Sequence, residues 1–223
     1  MSPPPFLFVE GIDGSGKSTC ARWLAAQLPR TGRYVVTVHV DDFRRPVAWA
    51  ECADEATAYY DRYYDLARLD DTLARIKGGD AVVEVPRYVE GAPESVFALH
   101  VPTASVVVVE GVFTQRLTHA RAAALVSIEV DWAIAEARVQ ARDEARGRTA
   151  EDVLHRIHHR YFPAQRRYRQ RHEPARRADW VVTMNTQGAR LDRRPADKAR
   201  GFGAVLTRSV SEALAAFCVR GAP

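Results

Sequence analysis

Residues Gly11-Ile12-Asp13-Gly14-Ser15-Gly16-Lys17-Ser18 match G-x-x-x-x-G-K-[ST] in full, and no other stretch of the chain limits its fold so sharply. Before it, Phe6-Leu7-Phe8-Val9 is a short apolar run with the length of a buried strand. After it, Ser18 to Leu28 reads as a helix with Trp23, Leu24 and Leu28 on one face, stopped by Pro29 and Gly32. Glycines between strand and helix let backbone N–H groups close around phosphate oxygens. The helix starting near Lys17 adds its positive end. Lys17 supplies a mobile charge to the outer phosphates, and the Ser18 hydroxyl suits magnesium. Gly11, Asp13, Gly14, Ser15, Gly16, Lys17, Ser18 and Thr19 are therefore expected to hold ATP, or another nucleoside triphosphate, with Mg2+.

The rest of the chain extends this opening into an α/β pattern. Tyr34 to Val40, Ala81 to Val85, Ser105 to Val109, Val126 to Val130 and Trp180 to Met184 read as strands. Helices are expected at Thr57 to Ile76, Arg121 to Leu125, Ala133 to Arg142, Ala150 to Arg171 and Ala204 to Cys218. The alternation predicts a P-loop NTPase fold, a doubly wound parallel sheet flanked by helices, with a helical lid. Residues 186–203 are polar and arginine-rich and read as a loop. No repeat or linker divides the chain, so residues 1–223 are expected to form one domain, with a lid at about 142–150 and a C-terminal extension at about 186–223.

Composition narrows the setting. The apolar stretches are too short to span a bilayer and the first five residues lack a signal-peptide pattern, so a soluble, cytoplasmic protein without membrane partners is expected. Three scattered cysteines, Cys20, Cys52 and Cys218, have no metal spacing and fit reduced thiols. The net charge of +4 is modest. Seven arginines between Arg160 and Arg177, mixed with histidines and tyrosines, would suit a nucleic-acid-binding ATPase, but a solvated helical face explains them more simply, and no nucleic-acid partner is expected. His155 and His159 have metal-ligand spacing but lack a third ligand in sequence.

Three further places choose between phosphoryl transfer and hydrolysis. Asp41 closes the second strand, at the carboxyl end where ligands of open α/β sheets gather, and could take a proton from an attacking hydroxyl or help hold the metal. Glu110 ends the run Val106 to Val109, and a carboxylate there is costly without a partner such as a metal. Arg138, Arg142, Arg146 and Arg148 lie on a helix and a glycine-containing connection that could close over phosphates and exclude water. Tyr59, Tyr60, Tyr63 and Tyr64 read first as packing and second as a stacking wall for a substrate.

Together these residues resemble the uridine kinase family, within the wider uridine kinase and phosphoribulokinase group. The resemblance runs from about Phe6 to Asn185. It rests on Gly11 to Thr19, Val40 to Phe43, Tyr64-Asp65 heading a helix to Gly78-Gly79, Val108 to Val112, and Arg142-Asp143 through Arg146-Gly147-Arg148. It implies transfer of the γ-phosphoryl group to a sugar hydroxyl, typically the 5′-hydroxyl of a pyrimidine nucleoside, so the expected acceptor is a nucleoside or nucleoside-like small molecule. Asp41 would then be the general base or a ligand of the substrate hydroxyl, Asp65 the ribose contact, Tyr88 a neighbour of the base and Arg138 part of the substrate site. Glu110 would join Ser18 and Asp41 around magnesium, and Arg142, Arg146 and Arg148 would form the lid. Uridine and cytidine kinases carry a base-reading histidine shortly after the tyrosine. Here Val89 to Pro93 has none before His100, which leaves the acceptor open. A thymidylate-kinase-type reading, with a nucleoside monophosphate as acceptor, rests on Phe8 to Gly14 and on Asp61-Arg62-Tyr63. Homo-oligomer formation is also left open.

Overall fold

The computed structural model describes residues 3–89, 92–195 and 199–220. Glu90 and Gly91, part of the segment after Tyr88, lie outside them, as do residues 196–198 of the expected loop. Eight strands are present among the described residues: β1 (Phe6–Gly11), β2 (Tyr34–His39), β3 (Val82–Arg87), β4 (Ser95–His100), β5 (Ser105–Gly111), β6 (Ala124–Val130), β7 (Trp180–Asn185) and β8 (Gly188–Arg193). Six of them form one sheet in the order β2-β5-β1-β6-β7-β8. Its first five members run parallel, and β8 adds antiparallel to β7. The chain thus has the doubly wound α/β fold that the phosphate loop predicted.

Alternation along each strand sorts apolar side chains to the two faces of the sheet. Phe6, Phe8, Val107, Val109 and Leu125 face α3 (Leu66–Gly78) through Leu69, Leu73 and Ile76. Leu7, Val9, Val106, Val108 and Val126 face α1 (Lys17–Gln27) and α8 (Ala204–Arg220), through Leu24, Val210 and Leu214. The C-terminal helix is therefore part of the core. A third cluster joins Ile12 of the phosphate loop to Ala135 and Val139 of α4 (Trp132–Glu144), to Val153 of α5 (Ala150–His155), and to Phe162 of α6 (Phe162–His172). A π-helical stretch, Arg156–Tyr161, joins α5 to α6. It turns Tyr161 toward the cleft described below.

Four sequence expectations need correction. The helix expected over Thr57 to Ile76 is two helices, α2 (Glu55–Asp61) and α3. It breaks because the Asp65 carboxylate accepts from Arg68 N at 3.0 Å and caps α3 afresh, while Tyr64 pairs with Arg44 in an isolated β-bridge. The strand expected to stop at Pro86 runs through it and pairs with β4 in a separate antiparallel hairpin; proline is tolerated because such a ribbon has edges. Residues 186–203 contain β8, whose Ala189 and Leu191 pack against the core on alternate positions. The helix expected at Arg121 to Leu125 is a short 3-10 turn, Thr118–Ala122, and Leu125 already belongs to β6.

Candidate active site

The loop from Gly11 to Thr19 leaves β1 and enters α1 with its glycines under two kinds of constraint. Gly14 and Gly16 hold φ of 77° and 89°, the left-handed region where a side chain is strained. A Cβ on Gly14 would also come within 2.3 Å of the Ala135 carbonyl oxygen, so α4 presses directly on the loop. Ser15 Oγ is buried and has no hydrogen-bond partner among the described residues. A backbone cradle that side chains would fill, with an unpaired buried hydroxyl inside it, fits a phosphate group.

Asp13 is the anchor of the loop. Its N–H donates to Gln165 Oε1 at 3.1 Å, and Gln165 Nε2 donates back to Asp13 Oδ2 at 2.6 Å. Burial would raise the Asp13 pKa, but Lys17 and Arg142, with the hydrogen bonds from Gln165 and Tyr59, bring it below the ordinary carboxylate value. Lys17 Nζ lies 3.5 Å from both Ile12 O and Asp13 Oδ1, at the long limit of hydrogen bonding, and so is loosely held. Arg138 Nη1 donates to Gly14 O at 3.3 Å and steadies the loop from α4. Arg22 reaches back from α1 to Ser18 O and Thr19 Oγ1.

The metal candidates meet across neighbouring strands. Ser18 Oγ donates to Glu110 Oε2 at 3.0 Å, and His39 Nδ1 lies 2.7 Å from Glu110 Oε1. His39 and Glu110 are register partners on β2 and β5. Burial opposes the Glu110 charge, yet His39, Lys17 and Ser18 hold its pKa below the usual range. The hydrogen bond to Glu110 raises that of His39 against the effect of burial. An exposed serine hydroxyl beside an ionised, buried carboxylate is a hard-oxygen donor set suited to magnesium. Gly111 explains the glycine after this glutamate. A Cβ there would come within 2.4 Å of Val40 Cβ, so only glycine lets the turn carrying Asp41 close onto β5.

Asp41 sits in the 3-10 turn Val40–Phe43, exposed to the cleft. Tyr64 OH lies 3.2 Å from its Oδ1, Tyr59 OH lies 3.1 Å from Asp13 Oδ2, and the two hydroxyls are 3.2 Å apart. A line of polar atoms therefore joins the carboxylate of the phosphate loop to that of the turn after β2. Burial pushes both tyrosine pKa values well above their ordinary value, so both stay protonated. Two hydroxyls carry two protons for three contacts, so one contact lacks a proton at any instant.

The lid arginines converge on one carboxylate. Asp143 is fully buried; Arg142 Nε donates to its Oδ1 at 2.7 Å, Arg148 Nη1 lies 3.0 Å from Oδ2, and Arg146 Nη1 lies 3.8 Å from Oδ1. Burial opposes the charge of Arg142, but Asp13 and Asp143 keep it fully protonated. Three guanidinium groups around one carboxylate leave a surplus of positive charge at the mouth of the cleft.

These residues border one cleft of about 530 Å³. On one side are Gly14, Gly16, Lys17, Ser18 and Thr19; Arg138, Arg142, Arg146 and Arg148 lie over it; and Asp41, Arg44, Tyr59, Tyr63 and Tyr64 form the other wall. Glu110 stands behind Ser18 rather than in the lining. Asp65 and Tyr88 are not in the lining either. Asp65 caps α3 and pairs with Arg45 at 2.5 Å, and the Tyr88 ring carries the Arg44 guanidinium at 5.0 Å. Sequence reasoning missed His39, Gln165, Arg44 and the central role of Asp143. His39 was within reach, since a histidine ending the strand that leads into Asp41 is a chemical signal; Gln165 left none.

At least four of the seven arginines that suggested a nucleic-acid surface have partners within the molecule, although Arg166 and Arg167 stay exposed. Arg160 pairs with Glu55, Arg167 with Asp54 and Arg169 with Glu129, while Arg166 stacks on Trp132. Among the described residues no helix is long and apolar enough to cross a membrane.

The fold and this loop define a P-loop α/β protein. No protein-family model matches the sequence, and comparison with curated proteins finds no match. Solved structures do match. A protein described as a possible uridine kinase from Bacillus stearothermophilus superposes with a TM-score of 0.61 at 24% identity, covering 81% of this chain and 89% of that one. D-glycerate 3-kinase from Cryptococcus neoformans superposes with a TM-score of 0.59 at 16% identity, covering 86% of this chain and 90% of that one. At such identities the likeness establishes the shared fold.

Proposed function

We propose that this chain is an ATP- and magnesium-dependent kinase of the uridine kinase type, which transfers the γ-phosphoryl group to a hydroxyl of a nucleoside or a similarly small alcohol. One observation carries the reading: a phosphate cradle with its lysine, an exposed carboxylate on the opposite wall and an arginine lid border the same cleft. A hydrolase needs no second wall for an acceptor and no cover against water.

In this reading the backbone N–H groups of residues 13–18 and Lys17 hold the phosphates, and Ser18 with Glu110 holds the metal. Magnesium, when bound, neutralises phosphate charge and orients the phosphates. Asp41, held by Tyr64, accepts the proton of the attacking hydroxyl. Arg142, Arg146 and Arg148 meet the charge developing on the transferred group and exclude water. Both named neighbours support a small-molecule acceptor, one by a nucleoside and the other by a hydroxy acid.

The test is a coupled ADP-release screen over nucleosides, nucleoside monophosphates, hydroxy acids and sugars, run beside Lys17→Ala. Acceptor-dependent ADP release that Lys17→Ala abolishes is the expected result. ADP release that ignores every acceptor, or near-normal turnover by Lys17→Ala, overturns the proposal.

A further inference from the structure

Arg44 is the basic side chain of the acceptor wall, and the proposed role of the cleft does not account for it. It lies three residues after Asp41, is half-buried and borders the cleft beside Tyr63 and Tyr64. Its guanidinium is fixed in place: Nε donates to Asp41 O at 2.7 Å and the plane packs over the Tyr88 ring. None of the ion pairs among the described residues involves Arg44, although its neighbour Arg45 is paired with Asp65. Asp41 lies close enough to favour its charge, but outside ion-pair distance. A half-buried guanidinium held rigid without a paired carboxylate has the form of a recognition group waiting for an anion.

The phosphate donor does not require it. Lys17, the loop N–H groups and the lid arginines already surround the phosphate side of the cleft. Arg44 instead directly follows the turn that carries the carboxylate placed to receive the hydroxyl proton. A neutral acceptor would leave the guanidinium without an ion-pair partner, its charge offset only by the nearby Asp41 and the Tyr63 hydroxyl.

We infer that the acceptor alcohol itself carries an anionic group, a carboxylate or a phosphate, that Arg44 binds while Asp41 faces the hydroxyl. This rests on the kinase reading above and narrows its substrate class. It also gives Tyr88 a role as the platform that keeps the guanidinium in place, rather than as a partner for a nucleobase.

Matched pairs of acceptors test it with the full-length protein and MgATP: glycerate against glycerol, and ribose 5-phosphate against ribose, with uridine as a further neutral compound. Thermal melting with a non-hydrolysable ATP analogue provides a binding readout for the same compounds. The wild type should turn over, or be stabilised by, an anionic member in preference to its neutral partner, and the pair that responds separates carboxylate from phosphate. Arg44→Ala should raise the acceptor KM roughly ten- to a hundredfold, the loss expected for a hydrogen-bonded charge pair, and leave the ATP KM unchanged. Arg44→Lys, which keeps the charge and loses the planar fork, should fall between. Preference for neutral acceptors, silence from both anionic compounds in both readouts, or an Arg44→Ala effect on ATP alone would overturn the inference. Turnover of uridine alone would sink this inference and leave the kinase reading standing. MgATP turnover by Lys17→Ala equal to wild type would sink the kinase reading itself.

Discussion

The two walls of the cleft are built on opposite plans. The phosphate wall is mostly backbone: a glycine loop held between β1 and α1, pressed from behind by α4 and clasped by Gln165. The acceptor wall is mostly side chain: a four-residue 3-10 turn, a helix break and tyrosines whose hydroxyls end on carboxylates. A wall of N–H groups accepts any phosphate, because every residue supplies the same donor. In the proposed reading a wall of side chains would decide which alcohol is taken, because each group sits where distant packing puts it. In that reading the first wall would give a common chemistry and the second a specificity.

Asp41→Asn tests the comparison with the largest effect. It should lower turnover by ~10²–10⁴-fold, the usual worth of a positioned base, while ATP binding stays near normal. Single-turnover rates beside an ATP-binding titration would check this, and equal losses in both would merge the two walls into one. Glu10→Gln probes the footing of the phosphate wall. Glu10 is almost fully buried, accepts from Tyr168 OH at 2.6 Å, and has its pKa raised by burial from 4.5 to about 7. The fold therefore holds an extra proton between those values, and its stability falls as pH rises from about 4.5 through about 7. That contribution is ~3 kcal/mol at ~1.4 kcal/mol per pKa unit. Urea midpoints at pH 5 and pH 8 should show the glutamine variant losing less than wild type; parallel losses would refute the assignment.

Asp143→Asn should act on the lid. Removing a buried countercharge costs ~3–5 kcal/mol, but Arg142 and Arg146 reach solvent, which reduces the expected loss of stability to ~2 kcal/mol. Turnover should fall with it and ADP release without acceptor should rise, as water enters. An unchanged ratio of hydrolysis to transfer would show that the arginines do not act as a cover. Tyr64→Phe is the smallest change. It removes one hydroxyl from the line joining the walls and should cost ~1 kcal/mol in stability, with a decline of a few-fold in kcat and a steady ATP KM. A larger effect on ATP than on the acceptor would mean that the line serves the phosphate wall.

Much of the fold was legible because it is locally encoded. The run Val106 to Val109 is buried on both faces, as its continuous β-branched sequence implied. The break at Tyr64-Asp65 was not legible. The helical pattern continues through it, and the capping carboxylate wins only with Arg44 paired beside Tyr64. The strand β8 was hidden by its arginines and becomes a strand because β7 offers an edge and α8 covers Ala189 and Leu191. At the site, Lys17, Ser18, Asp41 and the arginines from Arg138 to Arg148 were named from sequence and border one cleft. Asp65 and Tyr88 were named with them and stand outside its lining, one capping a helix and the other supporting Arg44.

The sequence alone determined the Gly11 to Thr19 loop, its strand and its helix, because glycine freedom, helix polarity and hydrophobic period act within a few residues. Only the tertiary structure decided what that loop works with. Gln165, 152 residues away, clasps Asp13; His39 meets Glu110 across two strands; three arginines turn to a buried Asp143. Those partnerships depend on burial, which makes an unpaired charge costly and so selects partners by position in space rather than along the chain.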